Sequence, residues 1–344
     1  MKNLKIILLI AILFYCQSPF KKKKSYTYKG ELMQNAYNKF KAKNYLGALQ
    51  DLDFVVSRYP DYSIAYRERC VTKHMLKRFS DALEDCEKAL SLDANDPSIY
   101  SSIAYLKEKD NKPKEALENY NKAIKLKPSD PEYFRNRCIL KIRLETYKEA
   151  LQDCDRAVEL NPNDSYNFRF RADVKERLED IDGAMNDINK AISLDPKNAY
   201  HYISRSRIKR KLFDLEDILE DYNTAILLEP TNSFFYYLRG DVKVEFGNYE
   251  EALKDYDISI SLDSNYASCY KARASLKEQI QDLKGALIDY DKAISQNPKD
   301  SFAYYSRGSL KLKMNDKNGY CEDLKNAIDL GEPDIKEEYK KKCK

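Results

Sequence analysis

The feature that most constrains this chain is a period of 34 residues that repeats nine times with no insertion or deletion. Aligned on Ala48, Ala82, Ala116, Ala150, Ala184, Ile218, Ala252, Ala286 and Tyr320, the copies follow one another from Lys29 onward. With Lys29 as position 1, those residues occupy position 20. A fixed period of this length marks stacked supersecondary units, none of which can bury its apolar face alone.

The other columns say what the unit is. Position 4 is aromatic in eight copies, Tyr66 and Phe134 among them, and Leu32 in the first. Position 8 is always small, from Ala36 through Cys70 and Gly240 to Gly308. Positions 4 and 8 lie one helical turn apart and share a face, as do positions 20, 24 and 27 on a second helix. Small residues at 8 and 20 let the two helices approach closely. Pro at position 32 in six copies, from Pro60 to Pro298, ends the second helix because it cannot donate the next backbone hydrogen bond. Each copy is therefore an antiparallel helix pair, and the fold class is all-α.

Composition agrees with a helical chain and excludes several classes of function. Of the residues, 34% are charged and only 9 are Gly, while 28 Tyr supply bulk for a core that contains no Trp. The net charge of +4 gives no general nucleic-acid signature, which needs a basic stripe well above background. The two histidines, His74 and His201, leave little material for a metal site or a catalytic base, and each reads as a surface residue on a helix. No Gly-rich phosphate loop, G-x-S-x-G, HExxH or metal-spaced cluster is present, so no catalytic residue, metal or cofactor is expected, nor a small-molecule substrate.

The aromatic at 4, small residue at 8, Ala at 20, aromatic at 24, Ala at 27 and Pro at 32, as in residues 248–263, resemble the tetratricopeptide repeat (TPR) family. The resemblance implies a right-handed α-solenoid of nine helix pairs over 29–332 that binds a partner peptide or protein. Gly319, Tyr320 and Cys321 depart from the usual start of the second helix in the last copy. Residues 333–344, with Pro333 at a plausible first helical position, read as a capping helix with a basic tail.

Two charged columns stand out against the family pattern. Position 7 is Arg in seven copies, and position 23 is Asp in eight. The third copy lacks both, with Ile103 and Asn119. An Arg–Asp pair joining the two helices of each copy is expected, against the simpler account of shared ancestry. Position 11 is Lys throughout, its stem placed to cover the helix pair.

In TPR proteins positions 8 and 24 face each other. Cys70 with Cys86 and Cys138 with Cys154 occupy those positions in the second and fourth copies. Two disulfides, or four reduced core thiols, fit equally well. Cys269, Cys321 and Cys343 have no evident partner in sequence.

At the N-terminus, residues 1–15 combine a basic start with the apolar run Ile6–Phe14 and read as an export signal, too short to span a membrane. Cys16 after Leu13-Phe14-Tyr15 resembles the lipidation site of a bacterial lipoprotein, although Tyr15 replaces the usual small residue. Residues 16–28 would then be a tether, with Lys21–Lys24 against anionic headgroups. The expectation is a lipid-anchored protein of a bacterial envelope, with a cytoplasmic protein as the alternative.

The resemblance also implies that positions 2, 5, 9, 12 and 13 line a concave binding groove. Here they hold 13 basic residues against 7 acidic ones, interleaved with aromatics. The candidate contacts are Tyr166, Arg169, Tyr200, Arg207, Arg210, Phe234, Tyr237, Lys271, Phe302 and Tyr305. Such a face would take an extended peptide with acidic and apolar side chains. The interspersed acids argue against nucleic acid. The carboxylate clamp of chaperone-binding TPRs is missing, since Arg67 is followed by Val71, Arg135 by Ile139 and Arg169 by Asp173 where the clamp needs Asn.

Overall fold

Each 34-residue period becomes two α-helices, joined by a tight turn in the eight repeats whose turn is described. The computed structural model of the protein describes residues 28–212 and 215–343. The expected signal, Cys16 and nearly all of the tether lie outside them. The chain divides into two units, Met1–Leu194 and Asp195–Lys344. In the first unit the helices are α1 (Tyr28–Lys41), α2 (Tyr45–Arg58), α3 (Ser63–Met75), α4 (Phe79–Leu92), α5 (Pro97–Lys109), α6 (Pro113–Leu126), α7 (Pro131–Arg143), α8 (Tyr147–Leu160), α9 (Ser165–Arg177) and α10 (Ile181–Leu194). The second unit holds α11 (Ala199–Lys209), α12 (Leu215–Leu228), α13 (Ser233–Glu245), α14 (Tyr249–Leu262), α15 (Ala267–Gln279), α16 (Leu283–Gln296), α17 (Ser301–Lys313), α18 (Lys317–Asp329) and α19 (Lys336–Cys343). Odd-numbered helices up to α17 are the first helix of a repeat and even-numbered ones the second. Within each unit every helix packs on its partner and on the neighbouring repeat, and no strand occurs among the described residues.

The turn between the two helices is set by position 15, which has positive φ in all eight repeats where it is described. Only Gly247 among these is glycine; Lys43, Lys77, Asn111, Glu145, Glu179, Gln281 and Asn315 take the left-handed conformation despite a Cβ. Each is locked by the position-16 N–H donating to the carbonyl of the position-11 lysine, as from Arg78 to Lys73 at 3.0 Å. That is the 6→1 bond of a Schellman motif. The start of the second helix depends on position 16. Where Asn44, Asp180, Asp282 or Asp316 stands at position 16, its side chain accepts from the N–H of a glycine at position 19. Gly319 follows this pattern, so the last repeat forms a regular second helix at α18 rather than departing from the others.

The core columns fall where the period puts them. Ala82, Ala116, Ala150 and Ala184 at position 20 are fully buried, as are Ala89, Ala123, Ala157 and Ala191 at position 27. Gly240 at position 8 leaves room for the ring of Tyr256 at position 24, which would lie 2.7 Å from a Cβ. Position 3 is also fully buried in repeats 2 to 9, although its residue is Ala65, Ile99, Tyr133, Asn167, His201, Phe235, Cys269 and Ala303 in turn. Two of them are seen packing on the preceding repeat: Ala65 meets Val55 and Val56, and Ile99 meets Cys86 and Ala89. His201 is thus a core residue, contrary to the surface position expected for it. His74 is half-buried, its ring 4.7 Å from that of Tyr105.

The helix after the ninth repeat keeps the 34-residue register. Pro333–Ile335 forms a 3-10 turn, and α19 begins at Lys336, one residue after a tenth repeat would start. Glu337 and Lys342 stand where positions 3 and 8 would demand buried residues, and no residue of α19 is buried. A disulfide between Cys321 and Cys343 holds it to α18, together with the hydroxyl of Tyr320 donating to Glu338 at 2.8 Å. Two cysteines without an evident partner in sequence are therefore paired.

Candidate partner-binding face

The recurring charges form a lattice inside the scaffold. In seven repeats the position-7 arginine grips the position-23 aspartate with two hydrogen bonds, as in Arg239 Nε to Asp255 Oδ2 at 2.9 Å and Nη2 to Oδ1 at 2.5 Å. The position-11 lysine reaches the same carboxylate, Lys243 at 2.8 Å and Lys73 at 2.6 Å. All seven aspartates are no more than 5% exposed. The arginine also stacks over its own position-4 ring, at 5.3 to 5.8 Å from the centroid. Hydrogen bonds to Asp187 raise the Arg171 guanidinium above its ordinary value, against the burial that lowers it.

A third leg of this lattice was not read from the sequence. The free Nη1 of the arginine donates to position 25 of the preceding repeat: Arg69 to Asp53, Arg137 to Asn121, Arg273 to Asp257 and Arg307 to Asp291. Position 25 is Asp or Asn in seven of the nine copies, a column that was legible but unassigned. Repeat 3 shows what replaces the lattice. Ile103 is 4% exposed and joins an apolar cluster with Cys70, Cys86 and Ile99, while Lys107 turns to Glu115.

Positions 2, 5, 9, 12 and 13 share one face of each first helix, and most of the cations at these positions among the described residues are already engaged. In the first unit Arg67 pairs with Asp96 at 2.7 Å, and Arg135 with Asp164 at 2.5 Å. Both aspartates are N-caps of the next first helix, accepting from Ser98 and Tyr166 N–H groups. The position-5 cation therefore ties one first helix to the start of the next. Glu132 lies between these groups, and burial pushes its carboxyl up to about 7 against the pull of Arg135. Arg169 is 6% exposed, stacked on Phe170 at 4.1 Å and 3.6 Å from Asp173, with Tyr166 half-buried beside it.

In the second unit Tyr200 is 9% exposed and packs edge-on against Phe235. Arg207 is half-buried. Arg210 forms a bidentate pair with Glu245, its Nε at 2.7 Å. Lys271 repeats the position-5 tie, reaching the N-cap Asp300 at 2.5 Å. Phe234 and Tyr237 stack with centroids 6.2 Å apart, and Tyr237 meets Tyr266 edge-on. Beneath them Asp241 accepts from the Tyr256 hydroxyl at 2.7 Å, and burial raises its carboxyl above the ordinary range. Phe302 is 63% exposed and Tyr305 half-buried.

The disulfide candidates lie across single repeats. Cys70 is bonded to Cys86 and Cys138 to Cys154, with Cα atoms 5.4 and 5.7 Å apart and all four cysteines buried. Cys269 is a buried thiol. Among the described residues no group of three or more His, Cys, Asp or Glu could hold a metal ion, and no helix is long and apolar enough to cross a membrane.

Comparison with known proteins fits this geometry. The model of the tetratricopeptide repeat matches residues 97–130, 170–198 and 235–266. These helix pairs are tetratricopeptide repeats. A TPR protein from Parabacteroides merdae superimposes with a TM-score of 0.60 at 20% identity, covering 73% of this chain and 98% of its own. Yeast Tom70 gives 0.59 at 16% identity, covering 89% and 92%. The Cut9 and Hcn1 assembly of the APC/C gives 0.55 at 12%, covering 83% of this chain and 56% of that one. At these identities the likeness establishes the TPR solenoid fold alone. No curated protein sequence matches the chain. TPR proteins bind peptides or proteins, so the stripe on the first helices is the candidate face. On it Phe302 is exposed and Phe234, Tyr237 and Tyr305 are half-buried, while Arg169 and Tyr200 are drawn into the packing and Arg210 and Lys271 are occupied with neighbouring carboxylates.

Proposed function

We propose that this chain is a non-enzymatic interaction scaffold that holds an extended segment of a partner protein along its first-helix face, and that it works outside the cytoplasm, anchored to a bacterial envelope membrane through Cys16. The observation that carries the binding role is the contrast between two kinds of side chain. The repeated charges are consumed within the scaffold, whereas Phe302, exposed, and Phe234 and Tyr305, half-buried, stand at positions 2 and 5, where the residue type varies from repeat to repeat. Side chains that a solenoid does not need for stacking are where its specificity can reside. Support for export comes from three disulfides, which persist in oxidising compartments and are rare where thiols are kept reduced.

The anchor is tested by growing cells with a labelled fatty acid and recovering the full-length protein. Incorporation that disappears in Cys16→Ala supports it, and an unlabelled protein refutes it. The binding role is tested by crosslinking in intact cells, comparing wild type with a Phe302→Ser and Tyr305→Ser double variant. Identical partners recovered with both would sink the assignment of the face.

A further inference from the structure

The helix α19 depends on one covalent bond for its place. None of its 8 residues is buried, and the segment is shorter than the ~12–15 residues that an isolated helix needs to persist in water. What holds it lies on α18. Cys343 is bonded to Cys321, the Tyr320 hydroxyl donates to Glu338 at 2.8 Å, and the Lys342 ammonium sits 5.6 Å from the centre of the Tyr320 ring. The ion pairs of Lys340 with Glu337 and of Lys342 with Glu338 run along α19 itself and fasten it to nothing else.

The three disulfides also differ in access. Cys70, Cys86, Cys138 and Cys154 are no more than 1% exposed, so an external thiol cannot reach them in the folded chain. Cys321 and Cys343 are half-buried, and exposed disulfides are the ones that exchange. The last turn of α19 places Lys340, Lys341 and Lys342 beside Cys343, and such cations draw an anionic thiolate to its sulfur. The neighbourhood of this bond extends to the candidate face. Position 5 of repeat 9 is Tyr305, which cannot make the cation tie that joins Lys271 to Asp300. Instead the Ser301 hydroxyl, at the start of α17, donates at 2.8 Å to Glu332 in the link between α18 and α19. Phe302 is the next residue, and Tyr305 lies one turn further on.

Resting on the scaffold reading above, we infer that the Cys321–Cys343 bond is a thiol–disulfide exchange site, and that its reduction by an external dithiol releases α19 and loosens the Phe302 and Tyr305 end of the candidate face. The dithiol supplies two electrons and two protons. Its thiolate attacks the Cys343 sulfur, the bond to Cys321 breaks, and Cys321 leaves as a thiolate that takes up a proton. The second thiol of the dithiol then displaces Cys343 from the mixed disulfide, and the dithiol departs oxidised. Once freed, α19 is too short to stay helical, Tyr320 loses its cover, and the link that carries Glu332 no longer holds Ser301. Repeat 9 becomes an uncapped terminal repeat, the kind that opens first in a solenoid.

The test titrates the full chain with dithiothreitol, alkylates the freed thiols and locates them by peptide mass. Cys321 and Cys343 should be alkylated at about tenfold or more lower dithiothreitol than the four buried cysteines. Amide exchange of the partly reduced protein should rise about tenfold or more in α18, α19 and the first turn of α17, stay unchanged in α13 and α14, and return to its starting value when oxidised glutathione re-forms the bond. In intact cells, crosslinks that depend on Phe302 and Tyr305 should be lost in the Cys321→Ser and Cys343→Ser double variant. Alkylation of all six cysteines together would overturn the exchange site. Unchanged exchange after selective reduction would overturn the release of α19. Crosslinks that depend on Phe302 and persist in the double variant would overturn the control of the face while leaving the scaffold reading standing. Absence of any Phe302-dependent crosslink in wild type would overturn that reading, and with it the control of the face, while selective alkylation and the exchange change would still uphold the release of α19.

Discussion

Repeats 4 and 7 hold their two helices together at the same two positions by opposite means. In repeat 4 a covalent bond joins Cys138 to Cys154. Repeat 7 instead removes a side chain, at Gly240, and lays the Tyr256 ring into the space, its hydroxyl tied to Asp241. Both repeats carry the same charge lattice beside these positions, Arg137 with Asp153 and Arg239 with Asp255. The contrast teaches that positions 8 and 24 only have to be filled, by whichever chemistry, while the charge lattice beside them is common to both repeats. Repeat 3 adds the converse case, with Ala104 against Tyr120 at those positions and no lattice.

The largest effect expected is on the element the two repeats share. Asp255→Asn leaves Arg239 and Lys243 facing a neutral amide at a site 2% exposed, and should cost ~3–5 kcal/mol. Arg239→Met combined with Asp255→Asn should cost less than the sum of the single changes, read from melting of all three variants. Additive losses would break the claim that the two act as a pair. Next comes the covalent arm. Cys138→Ser with Cys154→Ser opens a loop with a sequence separation of 16, worth ~3 kcal/mol in the chain-entropy account. Amide exchange should rise in α7 and α8 and remain unchanged in α13 and α14.

Gly240→Ala is the matching experiment in repeat 7. A Cβ 2.7 Å from the Tyr256 ring forces the ring to move, at ~1–3 kcal/mol. Exchange protection in α13 and α14 measures it, and an unchanged value would mean the ring has slack. The turn gives a smaller difference. Glu145 has φ +60° in repeat 4 where Gly247 has φ +79° in repeat 7. Gly247→Ala should destabilise by ~1 kcal/mol, and Glu145→Gly should stabilise by ~0.5 kcal/mol after glycine's entropy cost, both read from thermal melts. Glu132 in repeat 4 adds a pH dependence that repeat 7 lacks at the same position, where Phe234 stands. Its raised carboxyl binds a proton in the native state at pH values where the unfolded chain has lost it. Its stabilising contribution is present below about 4.5 and is lost as pH rises through about 7. Glu132→Gln should therefore flatten the decline in melting temperature across that window.

Much of this fold was legible in the sequence because the solenoid writes its local rules nine times. Small residues at 8, alanines at 20 and 27, and the Arg and Asp at 7 and 23 recur because each meets the same neighbour in each repeat. Position 3 was not legible, since it is fully buried whether it is Tyr133, Asn167 or His201. Asn167 can sit there because its amide donates to the Ala157 carbonyl and its oxygen accepts from Arg135. Nothing in the residue type announces that environment. The candidate face was legible only as a stripe of positions. Counting its charges suggested a basic groove, but a charge count cannot see that Lys271 and Asp300, or Lys313 and Glu278, cancel in space.

By itself, then, the sequence determined the helix pair, its 34-residue register and the bond between its two halves, because these depend on contacts within one period. The tertiary structure decided what lies between periods. It placed the position-25 leg of the lattice, the ties from position 5 to the next N-cap, and the disulfide that pins the charged helix α19 to α18. It also decided which residues of the binding stripe remain available. A side chain's partner in the next repeat is set by stacking, and stacking brings together residues that no single period contains.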